Sequence, residues 1–595
     1  MIMIGQEKQR KGQKKAEELR VMRHSAAHVL AQAVMRLFPD TKLGIGPAIE
    51  NGFYYDFEFS RPVNDTDLAA IEAEMEKIKK ENLFFEKSEK TIADAKKWGT
   101  GKPYKLELIE DLDKTGEEKV TFYNTGEEFV DLCKGPHVAS TGKIGLFKLL
   151  NTAGAYWKGD EKGTMMTRIY GTSWQAKDDL DKYVQRMEEA KKRDHRKLGA
   201  ELKLWTFSDK VGSGLPLFTH KGALVRRLIC EFVEELQCRQ GIAQVWTPQI
   251  AKAELFKISG HYDKYRKNMF RVESNYSEEE FYLKPMNCPQ HTQIYASEMR
   301  SYRDLPIRMA DFAMLYRDEK PGELLGLART RSFSQDDCHI FCREDQVEEE
   351  MKKALEMTEE IMKTYGFSYK YRLSLRDPKK PEKYLGDEAL WEKGEKLSKK
   401  VIEDRGAEYF EGVGEAAFYA PKLDLIVTDS LGREWQLSTL QIDFFMPERF
   451  DLTYVDTDGS LKRPVMLHRA ISGSPERLIA ILLEHFGGAL PVWLSPVQVK
   501  VIPITDGQNG YARGVLAKLK DANVRSEMDD RNETMQSKIR DAQLEKVPYM
   551  LIIGKREEMS GMVAKRGRSG KDYGQISIED FIGNLKKEIE TKSLA

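Results

Sequence analysis

Two histidines four residues apart, His24 and His28 in RHSAAHVL, fall on one face of any helix that contains them. Cys133 and His137 repeat that spacing in DLCKGPHV. Three imidazoles and a thiol make a possible zinc set, and the plain alternative is four residues satisfying core hydrogen bonds. Cys288, His339 and His468 are donors of the same kind, but they lie too far apart in sequence for spacing to join them. Taken singly, each is more often a buried thiol or a hydrogen-bonded core imidazole. A second chemistry is carried by arginine. Arg317 and Glu319 stand in YRDE, Arg329 opens RTRSF after a loop, and Arg477 closes GSPER. A guanidinium is planar and permanently charged, so it can fork onto phosphate and stack on an aromatic ring. An Arg-x-Glu on a strand is by itself an ordinary surface ion pair. His261 in SGHYDKY has the imidazole a general base needs, or is a loop histidine facing solvent.

The elements that must position these groups follow from periodicity. At 595 residues the chain fits roughly three or four domains. The first twenty-two residues are charged and polar without a sustained apolar face, and read as an N-terminal tail or helical lead-in, with folding beginning near Arg23. An α/β region follows over 23–175, with a helix-period stretch at 65–82. The charged run 176–204 predicts one solvated linker helix. In residues 222–241, Leu224, Leu228, Phe232 and Leu236 recur every fourth position, an amphipathic helix that Gly241 ends. Beyond it MADFAMLYRDE, RSFSQDDCHIFC, LDLIVT and TLQIDFF alternate with turns rather than helices, which predicts a largely antiparallel sheet over 205–493. Residues 494–595 alternate strand and helix, which predicts a small domain with a parallel sheet.

Composition excludes little but does exclude something. No apolar run approaches the ~20 residues of a membrane span and the N-terminus carries no apolar signal segment, so the expected place is the cytoplasm. Six cysteines in so long a chain do not suggest a disulfide framework. Lys plus Arg (95) nearly cancels Asp plus Glu (96), so any nucleic-acid surface must be a local patch.

The helix and strand ending at Pro248, YRDE with RTRSF, and GSPERL resemble, in that order, the three motifs of class II aminoacyl-tRNA synthetases. RHSAAHVL, DLCKGPHV, TAGAYWKGD, YLKPMNCP, SYRDLPIRMADF, SQDDCHIF and VMLHRAI resemble the threonyl-tRNA synthetase family over nearly the whole chain. The resemblance implies a multidomain α+β fold: an α/β editing domain, an antiparallel class II core flanked by helices, and a C-terminal α/β anticodon-binding domain. It implies ATP-dependent activation of threonine, transfer to tRNA(Thr), hydrolysis of Ser-tRNA(Thr), one Zn2+ per subunit, Mg2+ with ATP, and a homodimer. Many relatives carry a further ubiquitin-like N-terminal domain, and the resemblance is to the bacterial type without it.

By the same resemblance, Arg317 holds the α-phosphate and the threonine carboxylate, Glu319 accepts from the adenine amino group, Phe333 and Arg477 cover the two purine faces, and Arg329 and Gln335 complete the ATP site. Cys288, His339 and His468 would hold zinc with an open position for threonine. Asp337, Tyr419, Gln335 and Gln436 would line the amino-acid pocket, and His261 would be the base in transfer. His24, His28, Cys133, His137, Lys105 and Asp131 would form the editing site, and whether that cluster binds metal stays open. Asn532, Arg540, Glu557 and Arg566 would read anticodon bases, with Lys565 and Lys571 on the backbone. The chain departs from the family pattern at Gln290, Ser332, Leu437, Ser438, Ser472 and Pro475, none of them a ligand or charge named above. Two rival readings stand against this one: a silent RNA-binding regulator, which would lose the motif arginines, and a synthetase for another amino acid such as proline, which would not explain the zinc and editing residues together.

Overall fold

The computed structural model describes residues 2–160 and 163–594. The chain divides into two compact units, residues 1–188 and 189–595. Among the described residues all six cysteines are free and no helix is long and apolar enough to cross a membrane.

The first unit is organised by the helix Ile2–Leu37. Residues 2–22 therefore continue the helix rather than forming an irregular tail; Glu17 and Arg20, three apart, pair across a turn at 2.6 Å. Ala26, Ala27, Leu30, Ala31, Ala33 and Val34 are fully buried, and their small size lets the helix approach Phe53, Tyr55, Phe57 and Ile169 of an antiparallel sheet. That sheet runs in the order Lys42–Leu43, Gly52–Glu58, Met165–Trp174, Leu146–Tyr156. The expected helix is Asp65–Glu81, capped by Asn64, whose side chain accepts from the Thr66 and Asp67 N–H groups, and ended by Asn82 in the left-handed conformation. A smaller sheet, Phe85–Thr91, Lys119–Thr125 and Phe129–Leu132, carries DLCKGPHV at its exit.

Residues 176–204 are not one helix. Lys177–Lys192 ends, Asp194 accepts from the Arg196 N–H at 2.8 Å, and this cap starts a second helix, His195–Glu201. A capping carboxylate competes with helix continuation, which charge patterning alone does not reveal.

The second unit is built on an eight-stranded sheet in the order Ala243–Gln244, Ile307–Asp311, Asp337–Cys342, Val465–Ala470, Glu434–Asp443, Lys422–Thr428, Ser368–Leu375, Tyr409–Val413. Its interior is antiparallel and both edge pairs are parallel. The second edge needs a crossover, supplied by the helix Glu388–Asp404. The helix His220–Arg239 buries Val225, Ile229, Phe232, Val233 and Leu236 as the stripe predicts, and Gly241 follows with φ +67. The helix Pro475–Phe486 is apolar nearly all round, and Leu478–Leu483 are buried accordingly.

In the C-terminal region Ser526–Met528, Val499–Pro503 and Tyr549–Ile553 are parallel, and Val563–Gly567 with Asp572–Ile576 adds an antiparallel hairpin. A short helix, Lys555–Ser560, intervenes before the hairpin where the sequence reading has none.

Candidate functional site

A cleft of about 450 Å³ is lined by Arg317, Glu319, Glu323, Arg329, Phe333, Trp435 and Arg477. The hairpin Met314–Tyr316 with Ser332–Ser334 supplies its floor: Phe333 is on its second strand, Arg317 opens its connecting loop, and the Arg317 N–H donates to the Arg331 carbonyl at 2.9 Å. The Arg317 guanidinium lies 4.9 Å from the Phe333 ring centre and 5.8 Å from that of Tyr265. Arg329 donates to the Glu319 carboxylate at 2.7 Å and to Glu323 at 3.1 Å. Arg477 stands on the helix Pro475–Phe486, 5.9 Å from the Trp435 ring, and burial holds its charge less comfortably than usual. Gln335 is half-buried between the hairpin and the strand Asp337–Cys342.

Deeper in the same unit, Cys288, His339 and His468 come together with their ligand atoms within 4.8 Å of one another, all buried. Sheet register does this: His339 and His468 are directly opposed on neighbouring strands, and directly opposed side chains share a face. Cys288 arrives from the first turn of the helix Cys288–Ala296. His339 Nε2 and His468 Nδ1 lie 3.0 Å apart, and His468 Nε2 lies 2.9 Å from the Asp443 carboxylate. Asp337 accepts from the Asn287 N–H and approaches His339 at 3.7 Å, and burial raises its carboxyl above the usual range. Tyr419 stands 5.1 Å ring to ring from His468. Gln436 is turned elsewhere: its amide donates to Asp424 and Thr439 and accepts from Arg372.

His261 is fully buried at the start of the helix His261–Tyr265, not on a loop surface. Its Nδ1 lies 2.8 Å from the Ser259 hydroxyl, its ring is 6.0 Å from Tyr419, and burial pulls the imidazole down to about 3. An imidazole with a lowered folded-state pKa binds no proton where the unfolded chain does. Its contribution to stability is complete above the unfolded value near 6.5 and is lost as pH falls from there toward 3. The expected results are a pH–rate profile without a His261 inflection between pH 5 and 8, and a wild-type denaturation midpoint that falls below pH 6.5 more steeply than that of His261→Asn.

In the first unit, the ligand atoms of His24, His28, Cys133 and His137 also lie within 4.8 Å of one another. The Cys133 sulfur is 3.3 Å from both His24 Nε2 and His137 Nε2. Burial raises the thiol to about 11 and lowers all three imidazoles, so the cluster is neutral as it stands. Beside it Lys105 and Asp131 form a buried ion pair at 2.5 Å, and the Tyr55 hydroxyl donates to Asp131 at 2.5 Å while accepting from Lys105 at 3.0 Å. Asp131→Ala leaves the Lys105 ammonium uncompensated and costs about 3–5 kcal/mol, whereas pairing it with Lys105→Met recovers most of that. Denaturant midpoints of the two variants check this, and equal losses would remove the pair from the account.

The C-terminal residues are less concentrated. Glu557, with Arg556, Ala564, Asp572 and Gln575, lines a shallow cleft, and Gln575 donates to Glu557 at 2.7 Å. Arg566 pairs with Asp572 at 3.4 Å. Asn532 and Arg540 are exposed and outside that lining. Lys565 lies over the rings of Tyr549 and Tyr573 and Lys571 over Tyr573.

Comparison with known proteins places these regions. Residues 270–486 match the tRNA synthetase class II core domain (G, H, P, S and T), 498–588 the anticodon binding domain, and 120–170 the threonyl and alanyl tRNA synthetase second additional domain. Threonine–tRNA ligase of Gloeobacter violaceus is 48% identical over 97% of this chain and 93% of its own length. The chain belongs to the threonine–tRNA ligase family. It is thus an aminoacyl-tRNA ligase with a class II core. The Thermotoga neapolitana threonine–tRNA ligase is also 48% identical, over 96% of this chain and 88% of its own. A crystal structure titled as the RNA binding domain of threonyl-tRNA synthetase from Cryptosporidium parvum is 38% identical and covers 66% of this chain and 98% of that one, with a TM-score of 0.63.

Several residues packed around these clusters are not singled out by the sequence patterns. Gln441 is directly opposed to His468 across the sheet, and its amide oxygen is buried with no partner among the described residues. The alternation in TLQIDFF puts it on a strand but not beside a histidine. Asp336 accepts from the N–H groups of Ile471, Ser472 and Gly473 at 2.7–3.0 Å and so fixes the loop before Arg477. Glu476 accepts from the Ser334 N–H and from Arg226, tying the arginine-bearing helix to the hairpin floor. The departures Gln290 and Ser438 are absorbed locally, donating to the Pro248 and Ala470 carbonyls.

Proposed function

We propose that this ligase activates threonine with ATP, transfers it to tRNA(Thr), and hydrolyses Ser-tRNA(Thr) at a separate site. The proximity of Cys288, His339 and His468 carries the reading of substrate choice, since a thiolate and two imidazoles fit zinc with an open fourth position. Bound zinc would take both the amino group and the hydroxyl of threonine, whereas an apolar pocket separates valine from it only by ~10²-fold.

The chain's own residues do the rest. The cleft of Arg317, Glu319, Arg329, Phe333 and Arg477 takes ATP, whose phosphate charge magnesium would help neutralise: Phe333 and Arg477 flank the purine, and Glu319 accepts from its amino group. Arg317 orients the threonine carboxylate toward the α-phosphorus and neutralises charge as pyrophosphate leaves. Asp337, Tyr419 and Gln335 surround the amino acid, and Gln436 would join them only by leaving Asp424, Thr439 and Arg372. The terminal ribose hydroxyl of tRNA then attacks the activated carbonyl and AMP departs, with neutral His261 placed to receive a proton.

Serine also has the hydroxyl, so binding alone rejects it by only ~1–3 kcal/mol. His24, His28, Cys133, His137, Lys105 and Asp131 form the hydrolytic site for it. We assign editing to residues 23–175, the linker to 176–204, activation to 205–493 and anticodon reading by Asn532, Arg540, Glu557 and Arg566 to 494–595, in a cytoplasmic homodimer with the helix His220–Arg239, whose apolar face packs into its own core, near the subunit contact. ATP–pyrophosphate exchange with threonine, serine and valine, followed by release of serine from Ser-tRNA(Thr), tests this. Threonine-independent exchange, or a chain that activates valine as well as threonine, would defeat it.

A further inference from the structure

His291 lies one helical turn after Cys288 and is fully buried. Its Nδ1 is 2.7 Å from Nδ1 of His339, with the rings edge to face at 86°. On the other side of His339, Nε2 faces His468 Nδ1 at 3.0 Å, and His468 Nε2 faces Asp443 Oδ2 at 2.9 Å. The N–H groups of Phe445 and Met446 donate to the other Asp443 oxygen at 2.7 and 2.8 Å and fix that carboxylate. Asp443, His468, His339 and His291 therefore form one chain of contacts, in which each neutral imidazole supplies one donor and one acceptor.

The direction of that chain is constrained. Asp443 can only accept when ionised, so His468 donates through Nε2 and presents the lone pair of Nδ1 toward His339. Without metal, His339 donates through Nε2 and accepts at Nδ1 from His291. His468 Nδ1 and His339 Nε2 would hold a metal ion through their lone pairs, so that His339 would then carry its proton on Nδ1 and its neighbour would have to accept it. His291 Nε2 is buried with no partner among the described residues, so nothing on its far side fixes which nitrogen carries its proton. The His291–His339 bond can reverse while the three rings keep three N–H groups between them.

We propose that His291 is a positioning residue of the zinc site, accepting the Nδ1 proton of His339 and so holding that ring in the tautomer and orientation whose Nε2 binds the ion. This rests on the zinc reading above. A carboxylate or carbonyl usually serves behind a metal-bound histidine, and loss of such a partner weakens metal binding about 10–100-fold.

Zinc affinity of the full chain, measured by competition with a chromogenic chelator, separates the possibilities. His291→Leu keeps bulk and removes the acceptor, and is expected to bind zinc about 10–100-fold more weakly. His291→Asn places an amide oxygen near the Nδ1 position and is expected to recover most of that loss, while unfolding midpoints with excess chelator differ little among the three proteins. Wild-type binding with equal affinity in His291→Leu overturns the role of His291 and leaves the zinc reading standing. Equal weakening in both variants overturns acceptance as its cause. A wild-type chain that takes up no zinc overturns the zinc reading and this inference with it.

Discussion

Arg317→Lys is expected to lower threonine-dependent ATP–pyrophosphate exchange by about 10²–10³-fold, mostly in kcat. The Arg317 guanidinium leans over Phe333 and toward Tyr265, at 4.9 and 5.8 Å from their ring centres, and its only acceptor among the described residues is the Pro285 carbonyl at a long 3.4–3.5 Å. It is held by stacking while its donors stay uncommitted to a carboxylate. Lysine keeps the charge but loses the plane and the fork, so it can bind one oxygen and cannot orient two groups together. Charge on the α-phosphoryl oxygens and the departing pyrophosphate grows toward the transition state, so the missing donors are felt there more than in ATP binding. The KM for ATP should therefore move less than kcat. Because Arg317 forms no ion pair among the described residues, the thermal midpoint should shift by only a few degrees. A variant within threefold of wild type at matched stability would remove Arg317 from the reaction.

Cys288→Ala is expected to abolish stoichiometric zinc and to depress threonine-dependent exchange by at least about 10³-fold, with the residual preference for threonine over valine falling to ~10² or less. The side chain is 2% exposed and, among the described residues, its sulfur is the soft donor grouped with His339 and His468. Two imidazoles alone hold zinc poorly, and the Asp337 carboxylate, 3.7 Å from His339 Nε2, is a harder donor than the lost thiolate. Alanine removes one atom from a core shared with Tyr295, Met309, Phe341 and Met466, a loss of about 1 kcal/mol, so the chain should still fold. Metal analysis of the purified protein, with exchange rates for threonine and valine, gives both readouts. Full activity in a zinc-free variant would sink the account of how threonine is chosen.

Some of the chemistry was legible because it is local. His24 and His28 share a helix face by their spacing, and Cys133 with His137 sit four apart in one loop. Arg317 and Glu319 are two apart at a strand end. The apolar helix around Val225 to Leu236 and the βα alternation after residue 494 followed from periodicity in the same way, since a helix or strand sets which neighbours in sequence become neighbours in space.

What joins distant segments was not legible from those patterns. Cys288, His339 and His468 were grouped in the sequence only through the family resemblance; the strand register that opposes His339 to His468 is what brings them together, and a slip of one residue between the two strands would put the two rings on opposite faces. Gln441 beside His468, Asp336 beneath the loop at Ile471–Gly473, Tyr55 between Lys105 and Asp131, and His291 behind His339 depend on the same non-local pairings. His261 shows the converse, a residue found by its motif whose burial, and hence whose neutrality, came from packing by Phe418 and Tyr419. The sequence determined the elements, the family and most of the reactive side chains. Only the folded sheet decided which of them meet and in what charge state, because register and desolvation are properties of chain segments brought together and not of any one of them.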